Sequence, residues 1–240
     1  MMQGWVDIHH HLLHRMDDGP QSMDEMMQML HAAVAQGVSC IVATPHIQPG
    51  MVAFDQGQYQ RCLQETRQYA QLMGLPVTIL PGAEIYYTTM TPSMLYRGDI
   101  PRLGNGHYVL VEFHTHVSFD GICRAAVHIA NTGNTMVLAH GERYRCLRFG
   151  SRLDRLRQEY HVVIQVNADA MLQPENVFTS RWFRKAMDNE WIDVIASDAH
   201  DVQQRPCVLG DCAAYIEKNW GWEAAQRLCR TTPLKLLGGS

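Results

Sequence analysis

Asp7, His9, His11, His46, Glu84, Glu112, His140, Asp198 and His200 are the side chains of this sequence best placed to do chemistry, and none is a cysteine. Imidazoles and carboxylates without thiolates are a ligand set for Zn, Mn or Fe. His9 and His11 form an H-x-H pair, and on a strand the period of two puts both rings on one side. The chain has 13 histidines, which makes metal binding or proton transfer worth seeking. A soluble surface enriched in histidine by chance would give the same count, so position has to decide.

The elements that would position these residues are short apolar runs alternating with helical patterns. Strands are expected over Trp5–Ile8, Cys40–Thr44, Val77–Leu80, Tyr108–Phe113, Thr135–Ala139, Val162–Val166 and Ile192–Ala196. A helix is expected over Met23–Gln36, opened by a Ser22/Glu25 capping box and closed by Gly37. Another runs over Gln56–Met73 and closes at Gly74. Strand–helix alternation implies an α/β fold with parallel strands, one unit short of an eight-stranded barrel. The 240 residues show no linker, so one domain over 1–240 is expected. Six of the seven strands end in or just before an Asp, Glu or His, and in a parallel barrel those ends converge on one face.

Composition excludes other classes. With a net charge of −4 there is no basic surface to attract nucleic acid. The seven cysteines show no C-x-x-C and read as reduced thiols. The segment MMQGWVDIHHHLL lacks the pattern of a signal peptide, and no apolar run approaches the ~20 residues of a membrane span. A cytoplasmic location is therefore expected; a homo-oligomer is neither required nor excluded.

Across nearly its whole length the sequence resembles the PHP superfamily, and within it the bacterial capsule-type, manganese-dependent protein-tyrosine phosphatases. DIHHHLLHRMDDG (7–19), AVAQGVSCIVATPH (33–46), LPGAEIYY (80–87), YVLVEF (108–113), LAHGERYR (138–145), ASDAH (196–200) and Arg205–Pro206 carry the likeness. It implies a distorted seven-stranded (β/α)7 barrel with three divalent ions, Mn2+ foremost and Fe or Zn as alternatives. His9, His11, Glu84 and Asp198 would hold one ion, with Glu84 bridging to a second held by Glu112 and His140. Asp18, His46 and His200 would hold the third. Without the resemblance nothing distinguishes Asp18 from Asp17.

Three divalent ions and the four carboxylates Asp18, Glu84, Glu112 and Asp198 leave a surplus of two positive charges, which favours a phosphate dianion. Arg143 and Arg205 would clasp its non-bridging oxygens. The implied activity is hydrolysis of phosphotyrosine on a protein, in particular a bacterial tyrosine kinase linked to capsule or exopolysaccharide synthesis. The alternatives are a small-molecule phosphatase acting on histidinol phosphate or a sugar phosphate, and a non-catalytic, metal-stabilised interaction module. His46 or Asp201 could protonate the leaving group.

Several residues compete with this reading. Gly141 stands where relatives carry proline, and His10 where they carry a small residue. His114 and His116 form a second H-x-H beside Glu112. His14, His31, His107, His128 and His161 are read as bystanders. Cys146 to Arg152 fits the C-x5-R pattern of cysteine phosphatases, but Gly150 sits one place late for a phosphate-cradling loop, so a packing cysteine is expected. The methionines of 23–29 are read as core, and Asp7 as a carboxylate orienting a histidine ring.

Overall fold

The computed structural model describes residues 4–148 and 150–238. Nine strands run through them: β1 Trp5–His10, β2 Val38–Ala43, β3 His46–Ile47, β4 Thr78–Pro81, β5 Glu84–Tyr86, β6 Tyr108–Glu112, β7 Thr135–Leu138, β8 Val163–Asn167 and β9 Val194–Ala196. All pairings are parallel. One sheet has the order β1-β2-β4 and a six-stranded one the order β3-β5-β6-β7-β8-β9. The sheet curls until its ends meet: Asp198 N donates to His9 O and His11 N to Ala199 O, both at 2.9 Å.

Hydrogen bonding does not delineate the seven continuous strands expected. The short β3 and β5 are additions, and each follows a break. Pro45, between β2 and β3, has no N–H to extend a ladder. Gly82, between β4 and β5, gives both its backbone groups to the Tyr59 hydroxyl, donating at 3.0 Å and accepting at 3.1 Å. A Cβ there would come within 2.4 Å of Val42, so only glycine lets the chains approach this closely. The ladder resumes where Glu84 N donates to Pro45 O at 3.1 Å.

Both faces of the sheet are covered, which is why its strands read as continuous apolar runs rather than alternating ones. Leu110 and Val137 face an inner cluster with Val6, Ile8, Val42, Val194 and the C-terminal Leu236. Their neighbours Val109, Val111, Met136 and Leu138 face the outer layer, where helices pack. The first helix spans Met23–Ala35, and Met26 and Met29 lie in that core. Ser22 Oγ accepts from Glu25 N, but Glu25 reaches back to Gln21 N rather than to Ser22. The second spans Gln56–Leu72, capped by Asp55. Among the described residues no helix is long and apolar enough to cross a membrane.

Candidate metal centre

The strands of the curled sheet and the loops beside them bring all nine sequence-predicted metal-ligand candidates together. His9 and His11 come from the end of β1, which has a register irregularity between Asp7 and His10 that re-aims its side chains. His46 on β3 stands directly opposite Glu84 on β5. Glu112 ends β6, opposite Tyr86. His140 and Asp198 have left-handed backbones, φ 37° and 55°, a conformation uncommon outside glycine and found where a site dictates side-chain direction.

The tightest group is His9, His11, Glu84 and Asp198, all buried. The two histidine Nε2 atoms lie 3.2 Å apart, and each lies 3.2 Å from Glu84 Oε2. Asp198 Oδ1 is 3.2 Å from His9 Nε2 and 3.6 Å from His11 Nε2. Four ligands at about 2.0–2.1 Å around one tetrahedral ion would be spaced by about 3.4 Å. Glu84 also faces His140 Nε2 at 2.8 Å and His46 Nδ1 at 3.0 Å. Glu112 faces the same two rings at 3.4 and 3.5 Å. Asp18 Oδ1 lies 3.4 Å from His46 Nε2 and 3.3 Å from His200 Nε2, with its own side chain 62% exposed.

The residues fit metal ions better than they fit one another. His46 Nδ1 and His200 Nε2 are buried with no hydrogen bond among the described residues, although carboxylate oxygens stand near enough to share an ion. Two imidazole nitrogens aimed at each other, as in His9 and His11, can share one proton at most; a cation satisfies both.

Charge sharing within the cluster is strong. Burial would raise Glu84, but His9, His11, His140 and His46 outweigh it and hold the carboxylate well below its usual range. Glu112 is lowered likewise, burial being overcome by His140 and His46. Burial would lower His11 and His140, yet their carboxylate partners lift both to about 9. His46 is lifted to about 11 against the same penalty by Glu112 and Glu84. His200, buried and beside His11, falls to about 4. Metal binding would replace the protons held here.

A supporting layer escaped the sequence reading. Asp17 accepts from Gly19 N and His46 N and lies 2.6 Å from His11 Nδ1. Gln165 Oε1 accepts from His140 N and faces His9 Nδ1 at 3.2 Å, while its amide donates to Asn167. Asn167 donates in turn to Asp198 Oδ2 at 2.7 Å. Gln and Asn inside an apolar run such as VIQVN were the available signal, because a buried amide needs partners. Contrary to expectation, Asp7 makes no hydrogen bond to a histidine ring among the described residues. Its Oδ1 accepts from the backbone N–H groups of Ser197 and His9, tying β1 to the segment after β9.

Arg143 and Arg205 both reach the rim, each donating through Nη2 to Asp198 Oδ2 at 2.9 Å, with side chains 40% and 36% exposed. Asp201 is unsuited to donating a proton. It accepts from the N–H groups of Gln203, Gln204 and Arg205, and against its slight burial these bonds lower its pKa. His114 and His116 are exposed and pair with each other, whereas Glu112 joins the cluster. Cys146 lies in a short 3-10 turn, its thiol pushed up by burial, and Gly150 opens the helix Gly150–Tyr160 against Trp191.

A curled parallel sheet with helices outside and histidines and carboxylates gathered on one rim is the arrangement of the PHP fold, a class of metal-dependent hydrolases. Within it, the chain belongs to the family described as "Capsular polysaccharide synthesis, CpsB/CapC", whose model matches residues 5–238. It is similar to the tyrosine-protein phosphatase CpsB of Streptococcus pneumoniae, at 30% identity over 237 residues, covering 97% of this chain and 98% of that protein. The tyrosine-protein phosphatase YwqE of Bacillus subtilis is 27% identical over 235 residues, with 96% and 91% covered. A crystal structure from work on YwqE and CpsB, described there as metal-dependent tyrosine phosphatases, superposes with a TM-score of 0.88 at 26% identity and covers 98% of this chain and 95% of that one. A histidinol phosphate phosphatase from Lactococcus lactis shares the fold at a TM-score of 0.54 and 15% identity, covering 99% and 95%.

Proposed function

We propose that this protein is a metal-dependent protein-tyrosine phosphatase acting on a phosphotyrosine protein, foremost a bacterial tyrosine kinase linked to capsule or exopolysaccharide synthesis. The observation that carries the reading is the convergence of His9, His11, Asp18, His46, Glu84, Glu112, His140, Asp198 and His200 within one cluster. We read them as holding three divalent ions, Mn2+ foremost, in the sets His9/His11/Glu84/Asp198, Glu84/Glu112/His140 and Asp18/His46/His200. The names of the similar proteins support the substrate class. The two sheets are read as one distorted seven-stranded barrel in a single domain of cytoplasmic location, β2–β3 and β4–β5 each forming one broken stave.

Ions bound at this rim would supply an activated water and neutralise charge on the phosphoryl oxygens. The chain's own contribution is positioning. Arg143 and Arg205 approach Asp198 from the open side, and each guanidinium keeps further N–H donors for a phosphoryl group. Asp17 and Gln165 fix the rings of His11 and His9 through the nitrogens that face away from the cluster. The rim opens beside His46 into a cleft of about 510 Å³ whose walls include Met16, Ile47, Val52 and Phe54. An open, partly apolar approach suits an aromatic side chain carried on a polypeptide better than it suits a small polar phosphate.

The test is a comparison of kcat/KM on a phosphotyrosine peptide, histidinol phosphate and a sugar phosphate with manganese present. The peptide is expected to be turned over best; equal turnover of histidinol phosphate would overturn the tyrosine assignment.

A further inference from the structure

A second cluster of ligand-type side chains lies beside β1 and shares no member with the rim. One donor-type atom each from Asp7, His10 and Cys207 lies within 4.8 Å of the others. All three are buried, at 0%, 0% and 5% exposure. His10 is the telling residue: neither of its ring nitrogens has a hydrogen-bond partner among the described residues. A buried imidazole must carry at least one N–H donor and, when neutral, one acceptor lone pair, and a folded chain rarely leaves both unanswered. The neighbours are half-answered as well. Asp7 Oδ1 accepts two backbone N–H groups, while Oδ2 faces the Cys207 thiol at 3.8 Å.

We propose that Asp7, His10 and Cys207 form a buried site for one zinc-class divalent ion, distinct from the rim centre. One oxygen, one nitrogen and one sulfur donor are the mixed set that Zn2+ accepts. Charge favours it too. A divalent ion with one carboxylate and one thiolate is neutral, so the complex brings no net charge into the interior. Binding displaces the Cys207 thiol proton to solvent and forms the metal–sulfur bond, with no change in oxidation state. The ion would fasten β1, which carries His9, to the segment that leads into the helix Leu209–Trp220.

Cobalt is the probe, because only a thiolate ligand gives Co2+ the sulfur-to-metal charge-transfer absorption in the near ultraviolet. The rim candidates include no cysteine. Full-length protein produced in cobalt-supplemented medium is expected to show that band, and to retain it in Cys146→Ser and in Cys62→Ser. Cys62 is included because it lies in the more exposed group with His14 and Glu65. The band should vanish in Cys207→Ser, and both Cys207→Ser and His10→Ala should bind one ion fewer per chain by elemental analysis. Absence of the band in the wild type overturns the proposal, even if Cys207→Ser does not fold. Survival of the band in Cys207→Ser, its loss in Cys62→Ser or Cys146→Ser, or unchanged ion content in folded variants overturns it equally.

Discussion

Asp17 Oδ2 lies 2.6 Å from His11 Nδ1, and the same oxygen accepts the backbone N–H of His46 at 2.9 Å. One carboxylate therefore fixes the ring of a β1 histidine and the start of β3. Burial would raise its pKa, but His11 chiefly, with the N–H groups of Gly19 and His46, holds it at about 2. Once a metal displaces the second His11 proton, an ionised Asp17 would keep the remaining one on Nδ1 and leave the Nε2 lone pair facing Glu84 and Asp198. Its neighbour Asp18, two-thirds exposed, faces His46 and His200 instead. On the proposed reading, adjacent aspartates would divide the work of orienting and coordinating.

Asp17→Asn keeps the shape and removes the charge. Metal affinity should fall by roughly 10–100-fold, the usual cost of losing a carboxylate behind a metal-bound imidazole. Titration against a competing chelator measures it, and wild-type affinity would remove Asp17 from the site's design.

Arg143 and Arg205 share Asp198 Oδ2. Replacing either by Ala should lower kcat/KM on a phosphotyrosine peptide by about 10²-fold, as for loss of one donor to a developing anion. Lys should restore only part, since a point charge does not reproduce the planar fork. Full activity in both Ala variants would assign the arginines to structure alone.

The lifted histidines make metal binding pH-dependent. Their ordinary pKa is 6.5, and in the metal-free protein His11 and His140 stand at about 9 and His46 at about 11. The folded state thus holds protons that the unfolded chain releases. Their stabilisation is complete below pH 6.5 and is lost as pH rises through about 9 for His11 and His140 and about 11 for His46. The lowered Glu84 and Glu112 act in the other direction, and their contribution is lost in acid. Metal-free protein should therefore lose thermal stability from pH 7 to 9.5, while apparent metal affinity rises. A metal-free Tm that climbs over that range contradicts the cluster's protonation.

Gly150 has no room for a side chain: a Cβ would lie 1.8 Å from Trp191 Cη2. Gly150→Ala should destabilise the fold by about 1–3 kcal/mol, the range for overpacking. Denaturant unfolding measures it, and a neutral result would show that Trp191 can move aside. The glycine within the C-x5-R pattern of 146–152 is thereby explained by packing.

What the sequence made legible was the polar punctuation of the strands. His9, His11, His46, Glu84, Glu112, His140, Asp198 and His200 mark strand ends, and parallel topology brings strand ends together whatever their separation along the chain. The break between β4 and β5 was not legible, because it depends on Tyr59 reaching Gly82 from a helix 23 residues earlier. The support of Gln165 and Asn167 was hidden in an apolar run, where nothing local distinguishes a ring-orienting amide from a tolerated one. Asp17 and Asp18 are adjacent and chemically identical, so their roles separate only with the loop's conformation. The misreading of Asp7 has the same origin: its partners, Ser197 N and His9 N, are backbone groups that a sequence does not display.

On the proposed reading, hydrolysis needs bound metal and no cysteine nucleophile. The most direct test is turnover of a phosphotyrosine peptide by wild type and Cys146→Ser, each after chelation and again after manganese is restored. Both proteins should lose activity with chelator and regain it with the metal. Activity that survives chelation in the wild type and disappears in Cys146→Ser would contradict the account.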